Sequence, residues 1–310
     1  MQDVTSIIIP CYNAEDTIDR AVESALAQTY PKTEIIVVDD GSTDSSFERL
    51  SRFGGVLKII REINRGGGAA RNIGLKAARG EFIQFLDADD ELLPEKIERC
   101  MDSAKLSDSS YIPVSDWTRK MIESDAPLEQ FSFETNEGRE FENVLRKTLT
   151  TSSPLHRKTS LLAIGGFREH LKCCQEKDLH IRLFVRGFRF ARVPFDGVIQ
   201  YETAGSVSSD TTRVLLQRRE VFRNVANLLN GLEPKFEWRK PLACALAVDA
   251  FDLINLGCLD SHEANLLLAS ELDPNAEYVS CIPNRVLRLV AKTAGALRAA
   301  HFYALSKRLG

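Results

Sequence analysis

The chain has 310 residues, 44% of them hydrophobic, and a formal net charge of −4. That length accommodates one large domain and an appendage, with enough apolar residues for a substantial core. The mild acidity argues against a nucleic-acid binder, and no apolar run reaches the roughly 20 residues of a membrane span.

The first predicted element is the run Thr5-Ser6-Ile7-Ile8-Ile9-Pro10. A short apolar run closed by proline reads as a strand buried on both faces. Cys11-Tyr12-Asn13-Ala14 follows, and then Ile18, Ala21, Val22, Ala25 and Leu26 recur at helical spacing. A second buried strand over 34–38 ends in Asp39-Asp40-Gly41-Ser42-Thr43-Asp44, and a third covers 57–60. Gly66-Gly67-Gly68 is a flexible turn into a helix over about 69–79. It lacks the Lys-Ser/Thr of a Walker motif and the spacing of a dinucleotide fingerprint. A fourth strand, 81–86, runs into Asp87-Ala88-Asp89-Asp90-Glu91.

Residues 111–117 add a strand, 118–152 are less regular with a helix near 140–147, and 153–202 hold two short helices and strands at 188–193 and 198–201. From Thr211 the pattern is helical, over 211–230, 235–256, 261–272 and 283–309.

Strands alternating with helices predict a mostly parallel sheet covered on both faces. Ligands of such sheets sit at the carboxyl ends of the strands. Three polar clusters fall there: Tyr12-Asn13, Asp39-Asp40 and Asp87 with Asp89. The last is the most informative, because Asp87, Asp89 and Asp90 crowd three like charges into four positions. A hard divalent cation such as Mg²⁺ relieves that repulsion and keeps positions open for substrate phosphates. The alternative is a solvated loop capping the helix that Pro94 begins.

Seven cysteines show no CxxC pair or disulfide-like spacing, which predicts reduced thiols in a cytosolic protein. Cys173 and Cys174 read as small buried hydrophobes beside a site. Five histidines show no zinc-ligand spacing. His180 reads equally as a substrate contact or as a structural residue. The amino terminus has no basic region followed by an apolar core, so a secretory signal is not expected.

Ser6-Ile7-Ile8-Ile9-Pro10-Cys11-Tyr12-Asn13, the 34–44 segment, Ala70-Arg71-Asn72-Ile73-Gly74 and Phe85-Leu86-Asp87-Ala88-Asp89-Asp90 stand in a telling order. Together they resemble the family-2 inverting glycosyltransferases of the GT-A nucleotide-diphospho-sugar fold. Weaker matches continue through Ile164-Gly165-Gly166-Phe167, the 175–183 segment and Gly205-Ser206-Val207-Ser208. The resemblance implies an α/β fold of GT-A type, with a mostly parallel sheet and helices on both faces, followed by a helical C-terminal region. It implies a catalytic domain over 1–210, with a nucleotide-binding half 1–117 and an acceptor half 118–210. The helical region is 211–310.

The same resemblance assigns roles. Pro10, Tyr12, Asn13, Asp39, Asp40, Arg71, Asp87 and Asp89 line the donor site. Asp39 suits a uracil N–H, Tyr12 offers a stacking face, and Arg71 carries a fork for phosphate oxygens. Asp87 and Asp89 form a DxD pair for Mg²⁺ or Mn²⁺, which offsets charge on the departing diphosphate. Glu176 stands where the family places its general base, with Gln175 replacing a preceding acid and Asp178 as the rival. The expected reaction adds one sugar from a nucleotide-sugar, UDP-linked by preference with dTDP left open, to a glycan or lipid-linked acceptor.

Arg168, Glu202 and Ala204 depart from the family pattern. They leave a catalytically impaired nucleotide-sugar-binding protein as the alternative. A nucleotidyltransferase ranks low, because 10–16 is acidic and lacks a glycine-rich loop. No nucleic-acid partner is expected. The expected location is cytoplasmic. The acid-free 284–310 tail raises peripheral contact with an anionic membrane surface, against the alternative of a helix packed on its own domain.

Overall fold

A computed structural model describes residues 3–122, 128–134, 138–146, 149–202, 210–232, 234, 236–256, 258, 261–282, 291, 295–296, 299–300 and 303. The chain forms two compact units, one of residues 1–140 with 147–206 and one of 141–146 with 207–310.

In the first unit, the isoleucine run becomes β1 (Thr5–Cys11). Ile7, Ile8 and Ile9 are fully buried, as a strand covered on both faces requires. Helix α1 (Ile18–Leu26) buries Ile18, Ala21, Val22 and Ala25 along one stripe. It leads to β2 (Thr33–Asp39), α2 (Ser46–Ser51), β3 (Lys58–Arg61), α3 (Gly67–Ala77) and β4 (Phe82–Phe85). The chain continues through β5 (Glu91–Leu92), α4 (Lys96–Leu106), β6 (Tyr111–Met121) and β7 (Glu129–Phe131). After α5 (Glu140–Arg146), most of which belongs to the second unit, come β8 (Leu155–Arg157), α6 (Lys158–Ala163), α7 (Gln175–Val185) and β9 (Arg189–Glu202).

One sheet has the order β3-β2-β1-β4-β8. Its first four strands are parallel, and β8 is antiparallel to β4. The second sheet has the order β5-β9-β6-β7. The two strands expected at 188–193 and 198–201 are one strand, β9, parallel to β6. Its register slips opposite Ser115, Asp116 and Trp117, and a bulge of this kind breaks the alternation that sequence reading relies on. Gly197 lies at the slip, where an added Cβ would stand 2.6 Å from the Cβ of Ser115.

The second unit contains α8 (Thr211–Leu232), α9 (Arg239–Asn255), α10 (His262–Leu272) and the short 3-10 turn η1 (Glu277–Cys281). Cys244 of α9 and Cys281 of η1 form a disulfide, with Cα atoms 5.5 Å apart. This corrects the expectation of seven reduced thiols. Helix packing brings together two cysteines 37 residues apart, which spacing along the chain does not reveal. Cys11, Cys100, Cys173 and Cys174 are free and buried, and Cys258 is free and partly exposed. No helix among the described residues is long and apolar enough to cross a membrane. The expected helix over 283–309, and the membrane contact expected of 284–310, lie almost wholly outside the described residues, as do Ala204 and the 205–208 segment.

Candidate active site

The site gathers at the carboxyl ends of β1, β2 and β4. Pro10 is the penultimate residue of β1. Tyr12 follows with half of its surface open to solvent, so a planar ligand can reach its ring. Asn13 takes φ +47°, and its side-chain Oδ1 accepts the Thr43 N–H at 2.9 Å while its main-chain N–H donates to Ser42 Oγ at 3.0 Å. Asn13 thus ties the loop after β1 to the loop after β2.

Asp39 is fully buried. Its Oδ1 accepts the Ser42 N–H at 3.0 Å, and its Oδ2 lies 3.1 Å from Arg61 Nε. Asp40 accepts the main-chain N–H groups of Arg65 at 2.9 Å and Gly66 at 2.7 Å, fixing the entry to α3. Gly66 sits there at φ +95°, in the region that favours glycine.

The glycines of α3 do more than supply a flexible turn. A Cβ on Gly67 would come within 3.0 Å of Arg71 Nη1, and one on Gly68 within 3.2 Å of Gln175 Nε2. A Cβ on Gly74 would collide with Ile8, so the helix rests directly on β1. This close seating delivers Arg71, which is largely buried, to the end of β4. Arg71 Nη2 donates to Asp87 Oδ1 at 2.5 Å, and Nη1 donates to Gln175 Oε1 at 3.0 Å.

The loop around Gly166 clasps α3 and α7 together. Asn72 Nδ2 donates to the Phe167 carbonyl at 2.9 Å, and the Phe167 N–H returns to Asn72 Oδ1 at 2.8 Å. From the other side, Arg182 donates to the Ile164 and Gly166 carbonyls, both at 2.8 Å. Arg182 is aligned by buried Asp178, whose Oδ2 accepts its Nε at 2.7 Å. Arg168, one of the departures from the family pattern, lies 3.5 Å from Asp178 Oδ1. Asp178 is therefore engaged by two arginines. The departing residue Glu202 pairs with Arg119 at 3.4 Å.

Helix α7 opens at Cys174, held at φ +56°, a conformation costing a non-glycine residue about 1–3 kcal/mol. The next turn presents Gln175 and Glu176. Burial raises the Glu176 carboxyl above its ordinary range; Arg71 opposes that rise and Asp87 adds to it. Those two influences place Glu176 in the same electrostatic field as the acids at the end of β4.

At that end, Asp89 is exposed as a residue, yet its carboxyl is pushed up to about 6. Protein packed around it is the larger cause, and the Asp87 charge the second. Asp90 is buried and differs in role. It accepts Ser152 Oγ at 3.1 Å and the Tyr201 N–H at 3.3 Å.

Among the described residues no group of three His, Cys, Asp or Glu side chains is arranged to hold a metal alone. Asp87 and Asp89 supply two hard oxygen donors, and their mutual repulsion is what a divalent cation relieves. They fit an ion that takes its remaining ligands from phosphate oxygens and water.

His180 is buried, stacked on His156 with ring centroids 5.9 Å apart and edge-on to Phe190 at 5.3 Å. Burial, then the neighbouring His156, lower its pKa well below the usual range. Sequence reasoning gave Gln175 no function and overlooked Arg20, whose Nη2 donates to the Asp89 carbonyl at 2.6 Å. Gln175 was visible only as a departure from an acidic pair, and Arg20 carries no motif signal.

The sequence model of glycosyl transferase family 2 matches residues 6–161. The poly(ribitol-phosphate) beta-glucosyltransferase of Bacillus spizizenii is 44% identical over 111 residues, covering 34% of this chain and 18% of that protein. The UDP-Glc:alpha-D-GlcNAc-diphosphoundecaprenol beta-1,3-glucosyltransferase WfaP of Escherichia coli is 43% identical over 97 residues, covering 31% of this chain and 39% of that protein. The chain spans less than half the length of these relatives. The crystal structure of S. aureus TarS 1–349 in complex with UDP-GlcNAc superposes with a TM-score of 0.70 at 22% identity, covering 99% of this chain and 92% of that one.

Proposed function

The chain belongs to glycosyl transferase family 2 and has the GT-A fold, and on that premise we propose that it transfers a sugar from a nucleotide-diphospho-sugar to a hydroxyl of a glycan or lipid-linked acceptor. UDP is the proposed nucleotide, and the proposed reaction is inverting, metal-dependent and non-processive. The observation that carries this reading is the convergence of Arg71, Asp87, Gln175 and Glu176 at the carboxyl end of the parallel strands. The relatives named for UDP-Glc, for a diphosphoundecaprenol-linked acceptor and for poly(ribitol-phosphate), with the UDP-GlcNAc complex of TarS, support the donor and acceptor classes.

The catalytic work falls to residues of 1–210, and 211–310 forms the helical remainder. Tyr12 stacks on the base. Asp39 accepts the uracil N–H through lone pairs that Ser42 and Arg61 leave free, while Pro10, Asn13 and Asp40 shape the pocket wall. Arg71 binds a phosphate oxygen of the donor. Asp87 and Asp89 would hold Mg²⁺ or Mn²⁺, which neutralises charge on the leaving diphosphate when bound. Glu176 takes the proton of the acceptor hydroxyl as its oxygen attacks the anomeric carbon opposite the diphosphate. Its raised pKa makes it a stronger base once ionised. One displacement inverts the centre, with no covalent sugar–enzyme species. Asp178 orders α7 through Arg182.

Glu176→Gln tests the assignment. The amide keeps the shape and cannot take the proton, so transfer should fall roughly 10²–10⁴-fold, with UDP binding by calorimetry nearly unchanged. Full transfer by that variant, together with loss of transfer in a stably folded Asp178→Asn, would move the base to Asp178. Retained UDP binding without transfer in the unmutated chain, over a screen of UDP- and dTDP-sugars, would instead identify a silent nucleotide-sugar binder.

A further inference from the structure

Helix α1 reaches across to the acidic loop through a residue outside every motif. Arg20 Nη2 donates to the main-chain carbonyl of Asp89 at 2.6 Å. Its guanidinium also lies 3.7 Å from the centroid of the Tyr201 ring on β9, a cation–π distance. Lys120 Nζ stands 5.5 Å from the same centroid. Tyr201 completes the connection, since its hydroxyl donates to Glu91 Oε2 at 3.0 Å and its N–H to Asp90 Oδ1 at 3.3 Å. Residues 89, 90 and 91 are thus each gripped by Arg20 or Tyr201.

Among the described residues Arg20 forms no carboxylate ion pair, although its charge acts on the Asp89 carboxyl, and its Nε is buried without a hydrogen-bond partner. The side chain is committed to a carbonyl and a ring, which is an expensive use of a cation if packing α1 were its only purpose. That helix is already anchored by Ile18, Ala21, Val22 and Ala25.

The geometry points to Arg20, working with Tyr201, as a positioning residue that presets the Asp89 main chain so that the carboxylate meets a metal–nucleotide diphosphate without first being ordered. A loop left free would pay its ordering entropy on binding. The charge-assisted bond to the Asp89 carbonyl removes that cost beforehand. This inference rests on the metal-dependent reading above and adds the device that makes the acidic loop rigid.

The test is calorimetric titration of UDP into the full chain, with and without Mn²⁺, alongside thermal unfolding. Arg20→Met and Tyr201→Leu should each weaken Mn²⁺-dependent UDP binding by about 10-fold, in the range of outer-shell changes at metal sites. UDP binding without metal should be unchanged. The double variant should be no weaker than the worse single, because both substitutions break one brace. Arg20→Lys, which keeps the charge and loses the planar fork, should fall between wild type and Arg20→Met. Wild-type coupling between UDP and Mn²⁺ with an identical Arg20→Met overturns the inference alone. Multiplying effects in the double variant, or equal weakening with and without metal accompanied by a lower Tm, also overturn it by marking a merely structural contact. A wild-type chain that binds UDP equally with and without Mn²⁺ overturns the metal reading, and this inference with it.

Discussion

Two aspartate clusters end two parallel strands of the same sheet, and the protein treats them oppositely. Asp39 and Asp40, after β2, are buried and accept main-chain N–H groups from Ser42, Arg65 and Gly66. Asp87 and Asp89, after β4, receive an arginine on one side and each other's charge on the other. Asp90 stands between the two: it is buried and accepts from Ser152 and Tyr201, yet burial, then the charges of Asp87 and Asp89, push its carboxyl well above the ordinary range. An acid met by main-chain donors is fixed in place before any ligand arrives. Asp89, left against the Asp87 charge with its pKa driven upward, is poised for a cation. Carboxylate density along the sequence does not distinguish the two cases; the supply of donors does.

The sharpest way to break this comparison is to neutralise one acid of each kind. Asp89→Asn removes the charge and keeps the shape. Transfer should fall roughly 10²–10³-fold, the loss expected when one group that stabilises developing charge is removed, and the Tm should stay within a few degrees. Initial rates over a Mn²⁺ titration check it. Unimpaired transfer by this variant in the presence of a chelator would end the metal assignment.

Asp40→Ala should show the reverse pattern. It leaves the N–H groups of Arg65 and Gly66 without their acceptor at the entry to α3. An unsatisfied donor costs about 1–3 kcal/mol, so the midpoint of urea unfolding should drop accordingly. Turnover per folded molecule should change less than in Asp89→Asn. A variant as stable as wild type, with transfer lost to the same degree as Asp89→Asn, would show that Asp40 acts in transfer rather than in holding the entry to α3, and would dissolve the contrast.

Much of this was legible before the fold was known, and the failures have physical causes. The runs that became β1, β2 and β4 were recognisable because strands buried on both faces are apolar throughout. β8, only Leu155-His156-Arg157, is too short to show periodicity and depends on pairing with β4. β9 reads as two strands because its bulge falls between the apolar stretches. Arg71 and the acidic pair could be found by motif, whereas the bracket that aligns them could not. Asn72 and Arg182 hold the Gly166 loop from two helices about a hundred residues apart, and no local pattern encodes that meeting. The Cys244–Cys281 disulfide was missed for the same reason.

The smallest expected effect probes the neutral residue between the acids. Gln175 accepts a hydrogen bond from Arg71 without competing for its charge, so Arg71 remains available to oppose the rise in the Glu176 pKa that burial produces. Gln175→Glu would place a negative charge next to Glu176 and pair it with Arg71. Both changes disfavour the ionised form of Glu176, so its pKa should rise further. A general base works only when deprotonated, and activity therefore climbs as pH rises through that pKa. The acid limb of the kcat profile should move to higher pH in Gln175→Glu, with the rate on the alkaline plateau close to wild type. A limb that stays in place while kcat falls at every pH would mean that Gln175 serves Arg71 by geometry alone, and that Glu176 does not feel the charge beside it.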